Sequence, residues 1–478
     1  MSDRTLLTAR WVIGHQEGHH VVFENGVVVL EGTRVLHVGA TFTGEVAQRI
    51  DYGQAIISPG FIDLDALSDL DTTILGYDNG PAWKKGRVWP ETYVARGPYE
   101  MYAPEELAFQ KRHAFAQLIR NGITTALPIA SLFYRAWGET VAEFDAAAQA
   151  AQDLGLRVYL GPAYRSGGQV TDAAGNIRAV YDEARGLEGL DQATGFAGRI
   201  EKTAGGLVRA MFAPDRIETC TQALLQRTAD IASDMGVPVR QHCSQSPTEV
   251  RLVREQHGCA PIEWLDRIGA LRSNWLLPHG TEATEAEFDL IAEAGATLVH
   301  CPLVSARHGA MLRSFPKCRA KGINIGLGTD THPADMILNM QIGMMTARLA
   351  DGVDAVRSEQ MFDAATLGGA QALNRHDLGR LMPGAKADIA VIDLRTNMQT
   401  TDPVQTLMTS SSGRDVRDVW IDGRHVMKDG VIPGIDAGKD AALAQAQFDG
   451  LIEKYPDRTT GHPPVSEIFT PSYRRVAP

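Results

Sequence analysis

GINIGLGTDTHPAD, residues 322–335, runs from a buried strand into a polar loop within a few positions. Ile323 to Leu327 is short, apolar and partly β-branched, which suits a buried parallel strand better than a helix. It ends in Gly328-Thr329-Asp330 and a loop carrying His332 and Asp335. A barrel enzyme keeps its chemistry on side chains at this kind of strand end. An aspartate here also suits a helix cap, so the neighbouring segments have to decide between the two.

Outward from this stretch the same unit repeats. Residues 104–127 give a proline-initiated helix with Glu105 and Glu106 in its first turn, a stop at Gly122, and ITTALPIA as a strand. Helix, glycine and strand recur around Gly155 (LRVYLGPAY), Gly236 (VPVRQHCS), Gly295 (ATLVHCPLV) and Gly322. With IISPGFIDL, GLVRAMFAP and NWLLPHG the apolar strands number eight. Strands alternating with helices predict a parallel α/β architecture. The span 58–382 suits a (β/α)8 TIM-like barrel, and no glycine-rich dinucleotide loop supports an open doubly wound sheet. Residues 1–57 and 383–432 are β-rich with Asn-Gly and Gly-Thr turns, which predicts one small β-sandwich built from both chain ends. The segment 433–478 reads as a C-terminal helix and tail packed on the barrel or on a neighbouring subunit.

Composition sets outer bounds. The 478 residues are 44% hydrophobic and 22% charged, as in a soluble globular protein. No apolar run approaches the roughly 20 residues that span a bilayer, and Met1 to Gly14 lacks a signal pattern, so the expected setting is cytoplasmic, without membrane. A net charge of −12 argues against nucleic acid as a partner. The five cysteines are scattered and never form CxxC, which predicts reduced thiols and no thiolate zinc site.

Polar residues at the strand ends converge on one mouth of such a barrel. The first strand offers Asp63, Asp65 and Asp69, the fifth His242 with Gln245, the sixth His279, the seventh His300, and the eighth Asp330 and His332. Imidazoles and carboxylates together suit one divalent metal, zinc first and manganese or iron as alternatives. The expected ligands are His242 and His279 with a carboxylate, Asp330 or Asp65. Gln245, His332, Trp89 and Arg165 are expected to bind a small-molecule substrate. The loop 69–103 carries Tyr77, Trp83, Trp89, Tyr93, Tyr99 and Tyr102, and its length marks it as functional or as an interface.

This pattern resembles the amidohydrolase superfamily, in the branch of cytosine and guanine deaminases and triazine hydrolases. The resemblance rests on PGFID at 59–63, QHCSQS at 241–246, LLPHGT at 276–281, HCPLVSARHG at 300–309, GLGTD at 326–330 and the closing segment 367–393. It implies a metal-dependent hydrolase, with Asp330 moving a proton and His279 polarising the substrate oxygen, in a homodimer or larger homo-oligomer.

Two departures narrow the reading. The superfamily's first-strand His-x-His is replaced by Asp65 and Leu67, so one ligand is lost and Asp65 offers a carboxylate instead. Deaminases of the branch carry a glutamate where Gln245 stands, and glutamine cannot shuttle a proton. Hydrolysis of an amide, urea or carbamate C–N bond through a metal-activated water is therefore the expected reaction, with phenylurea and thiocarbamate hydrolases as the nearest analogy. Deamination or dechlorination of a purine, pyrimidine or triazine ring, and a metal-free relative that only binds a ligand, are the alternatives.

Overall fold

The computed structural model describes residues 4–78, 88–203, 205–313, 315–474 and 476. The barrel strands are Phe61–Leu67, Ile123–Ile129, Arg157–Leu160, Val208–Ala210, Val239–Arg240, Trp275–Pro278, Thr297–His300 and Asn324–Leu327. All eight are almost entirely buried, as strands covered on both faces must be. The first four pair in parallel in one sheet and the last four in another. The seam between fourth and fifth strands closes where Phe212 pairs with Val239, and Arg240 N donates to Phe212 O at 2.9 Å. The seam between eighth and first closes at the mouth. There Asp330 N donates to Asp65 O at 2.8 Å, and Thr329 Oγ1 donates to the buried carboxylate of Asp63 at 2.6 Å.

A six-stranded sheet joins both chain ends, in the order 424–427, 416–421, 389–393, 55–59, 11–16 and 19–24. It faces a four-stranded sheet of 34–39, 27–31, 4–8 and 48–51, and Val12, Val28, Leu30, Ile57 and Val391 fill the core between them. Ala55–Pro59 runs directly into the first barrel strand. Arg157, buried on the third strand, fixes the two bodies together: it donates twice to Asp388 at 3.1 Å and pairs with Asp422 at 3.1 Å. The guanidinium fork matches a carboxylate, so this contact sets orientation as well as charge balance.

The long loop after the first strand contains a short 3-10 turn, Thr73–Gly76, and a helix, Glu91–Arg96. Trp89, Tyr93 and Tyr102 are buried with Tyr134, Tyr455 and Ile468 in a satellite core that pins both the loop and the tail. Trp83 lies outside the described residues. The C-terminal helix Ala437–Lys454 packs on the helix Pro104–Arg120, where buried Gln110 donates to Gln447 at 3.0 Å. The five cysteines are free and buried. Among the described residues no helix is long and apolar enough to cross a membrane.

Candidate active site and metal centre

Asp65, His242, His279 and Asp330 come from the first, fifth, sixth and eighth strand ends, and their ligand atoms all lie within 4.8 Å of one another. His242 Nε2 is 3.6 Å from Asp65 Oδ2, and His279 Nε2 is 3.6 Å from Asp330 Oδ2. The two imidazoles stack with centroids 5.1 Å apart. Backbone geometry aims them: Ser244, His279 and Asp330 all hold positive φ, at 53°, 74° and 45°. Such strain in residues other than glycine gathers where a site must be held against local preference. Gly328 lets the strands close, because a Cβ there would meet Asp65 Cβ at 2.5 Å.

Burial dominates the electrostatics. It pushes the Asp330 carboxyl well above its ordinary range, with the Asp65 charge adding to the effect. It lifts Asp65 to about 6, against the opposing pull of Arg240. Burial also drives His242 and His279 well below the usual imidazole value, so both are neutral bases at neutral pH. Neutral imidazoles and closely spaced carboxylates are the donor set of a borderline divalent ion. His279 Nε2 is buried and has no hydrogen-bond partner among the described residues. These residues fit a divalent metal such as zinc.

Three site residues carried no signal in the sequence pattern. Arg240 Nη1 donates to Asp65 Oδ1 at 2.9 Å and lies 3.2 Å from His242 Nδ1. Arg240 and His242 are two apart on one strand and so share its inner face, which is the one clue a reader of the chain had. Arg216, in the loop after the fourth strand, donates to Gln245 Oε1 at 2.8 Å. Buried Glu249 accepts from the backbone of Ser244 and Gln245 at 2.5 and 3.1 Å, holding the loop after the fifth strand in place.

The expected substrate contacts divide. Gln245, Arg165, Arg216 and Asp330 line one cavity beside His242. Arg165 Nη2 is buried there without a partner. Trp89 does not line that cavity, contrary to expectation. Its indole is buried, donates to Phe133 O at 3.1 Å, and lies 4.7 Å from the Arg165 guanidinium, so it supports that arginine. His332 is also turned away from the cluster. Its backbone N–H donates to Asp71 at 2.8 Å, and it lines a neighbouring cavity with His113. His300 is buried behind the mouth beside Phe315, and Arg209 pairs with Glu201 at 2.9 Å.

A (β/α)8 barrel with two histidines and two carboxylates converging at its mouth defines a hydrolase that works with a divalent metal. The chain belongs to the amidohydrolase family, whose model matches residues 56–426. It is a hydrolase acting on carbon–nitrogen bonds. A 5-methylthioadenosine/S-adenosylhomocysteine deaminase of Natronomonas pharaonis is 27% identical over 434 residues, covering 89% of this chain and 93% of that one. An adenosine deaminase from Xanthomonas campestris with bound zinc superposes with a TM-score of 0.76 at 22% identity, covering 93% of this chain and 98% of that one. Atrazine chlorohydrolase from Arthrobacter aurescens, complexed with zinc, gives 0.76 at 20% identity over 93% of this chain and 100% of that one.

Proposed function

We propose that this chain hydrolyses the C–N bond of a small amide-, urea- or carbamate-like molecule, with zinc held by Asp65, His242, His279 and Asp330. The observation that carries this is the buried, unpartnered His279 Nε2 facing Asp330 within the four-residue cluster. When bound, the metal supplies Lewis acidity, lowering the pKa of water and polarising the carbonyl. Asp330 takes the proton of the attacking water and returns it to the leaving nitrogen, the work of a carboxylate beside the reacting atoms. His279, as a ligand, would hold the metal where it polarises the substrate oxygen. Arg216 occupies the Gln245 carbonyl oxygen, which leaves the amide N–H groups free to donate to substrate. Arg165 Nη2 offers a second donor to an electron-rich substrate group.

Deamination of a heteroaromatic ring is the second reading, favoured by the names of the curated relatives. It requires an acid to protonate the ring, and Gln245 cannot be that acid. We place the activity in the cytoplasm, in line with five free buried thiols, and in a homo-oligomer as the resemblance implies.

Elemental analysis with His279→Ala and Asp65→Ala tests the metal. We expect about one zinc per chain, lost in both variants. Protein that stays folded and metal-free after zinc supplementation would overturn the mechanism. Product analysis then separates the readings: an amine with an acid or carbon dioxide for the hydrolase, ammonia with an intact ring for the deaminase.

A further inference from the structure

A second cavity, of about 310 Å³, lies on the other side of Leu67, Asp69 and Asp71 from the metal cluster, and these three residues line both spaces. Its walls are mainly apolar: Leu67, Leu70, Ile74, Ala114, Ala444 and Phe448. The last two belong to the C-terminal helix, which forms one wall of the space. Leu67 stands where the superfamily places a metal-binding histidine, so at this position the chain has an apolar wall instead of a ligand.

Polar residues interrupt the apolar lining, Asp69, Asp71, His113, Gln117, Thr331 and His332 among them. Among the described residues Asp69 Oδ1 is buried without a hydrogen-bond partner, while its Oδ2 accepts from Ser131 N at 2.9 Å. His113 Nδ1, from the helix Pro104–Arg120, is likewise buried and unpartnered. Lys111 is the nearby cation, yet its ammonium is committed to Ser68, Glu139 and Glu143 at 2.8, 3.4 and 2.9 Å. Asp71 has no free capacity, since it accepts from Thr73, Thr331 and His332. Asp69 thus lines the chamber and has one carboxyl oxygen without a hydrogen-bond partner among the described residues. A buried polar atom of this kind is costly unless something donates to it.

We propose that this cavity is the subsite for an apolar primary amine, the leaving half of the substrate, with its ammonium on Asp69 and its hydrocarbon part against Leu67, Ala444 and Phe448. The inference rests on the C–N hydrolase reading, because hydrolysis of that bond releases an amine next to Asp330. It narrows the substrate class to amides whose amine half is a hydrocarbon ring or branched chain small enough for the chamber. A charged hydrogen bond to a desolvated carboxylate separates an amine from its alcohol isostere by roughly tenfold or more.

Isothermal titration of the zinc-supplemented protein with cyclohexylamine and with cyclohexanol tests this. We expect the amine to bind at least about tenfold more tightly than the alcohol. Asp69→Asn should abolish that preference, and Ala444→Phe, which fills the chamber, should weaken both ligands at least about tenfold. Circular dichroism melts check that the variants are folded; if Ala444→Phe is not, Ala441→Phe on the exposed flank of the same helix replaces it. Equal binding of amine and alcohol, or amine binding unchanged in the filled variant, overturns the proposal. The titration needs no turnover, so absence of amine binding and absence of a bound metal are separate failures of separate readings.

Discussion

Arg240 is the residue on which the centre turns. A guanidinium has no acceptor, so its contact with His242 Nδ1 makes that nitrogen the acceptor and leaves the ring proton on Nε2. Arg240 thus works against a metal at His242 Nε2, whereas His279 Nε2 carries no such competitor. Arg240→Met should therefore tighten zinc binding by at least about tenfold, because a like charge leaves the site. Without metal the same change strips Asp65 of its buried partner and should cost about 3–5 kcal/mol. Zinc titration against a competing chelator, with denaturant melts in chelator, reads both effects. In the unmodified chain His242→Ala should weaken zinc less than His279→Ala does. The His-to-Asp and His-to-Leu changes at 65 and 67 were visible in the sequence, but the cation that accompanies them was not. An arginine inside VPVRQHCS reads as one more strand residue until the barrel turns it inward.

Among the elements, the strand His19–Glu24 partly buries a histidine at the edge of the six-stranded sheet, where His20 Nε2 meets Thr366 Oγ1 at 3.0 Å. Its ring also packs edge-on to Phe362 at 5.1 Å. Burial, with His15 nearby, lowers the His20 pKa from 6.5 to about 3. The unfolded chain then binds the proton more readily than the folded one. This contribution is fully present above pH 6.5 and is lost as pH falls from 6.5 toward 3. Between pH 6.5 and 5 it amounts to about 2 kcal/mol. His20→Gln should flatten the acid limb of the stability curve by that amount, as read from urea midpoints at several pH values. An unchanged slope would show that the ring titrates freely in the folded protein.

Across the whole molecule, the tail is a structural wall. Leu451, Tyr455 and Ile468 complete the satellite core that holds the loop after the first strand. Arg96 and Tyr99 of that loop reach Asp457 at 2.8 and 2.9 Å. Removing residues 437–478 should lower stability by on the order of 5 kcal/mol, from the apolar side chains it exposes. It should also open the cavity beside Leu67. A truncated protein with an unchanged urea midpoint would mean that the loop is held by the barrel alone.

What the sequence by itself determined is periodic or local. Eight apolar runs between glycine-stopped helices specify a closed parallel barrel, because short strands buried on both faces have few other arrangements. The β-rich ends specify the sandwich, and polar residues at strand ends name Asp65, His242, His279 and Asp330, since barrel topology brings all strand ends to one mouth. Only the tertiary structure decided which polar side chains meet. His332 turned away because Asp71 holds its backbone, and Trp89 sank beneath Arg165. Arg240 and Arg216 came in from positions with no motif of their own. Those outcomes depend on loop paths and on side-chain partners distant in the chain, for which local sequence carries no periodic signal.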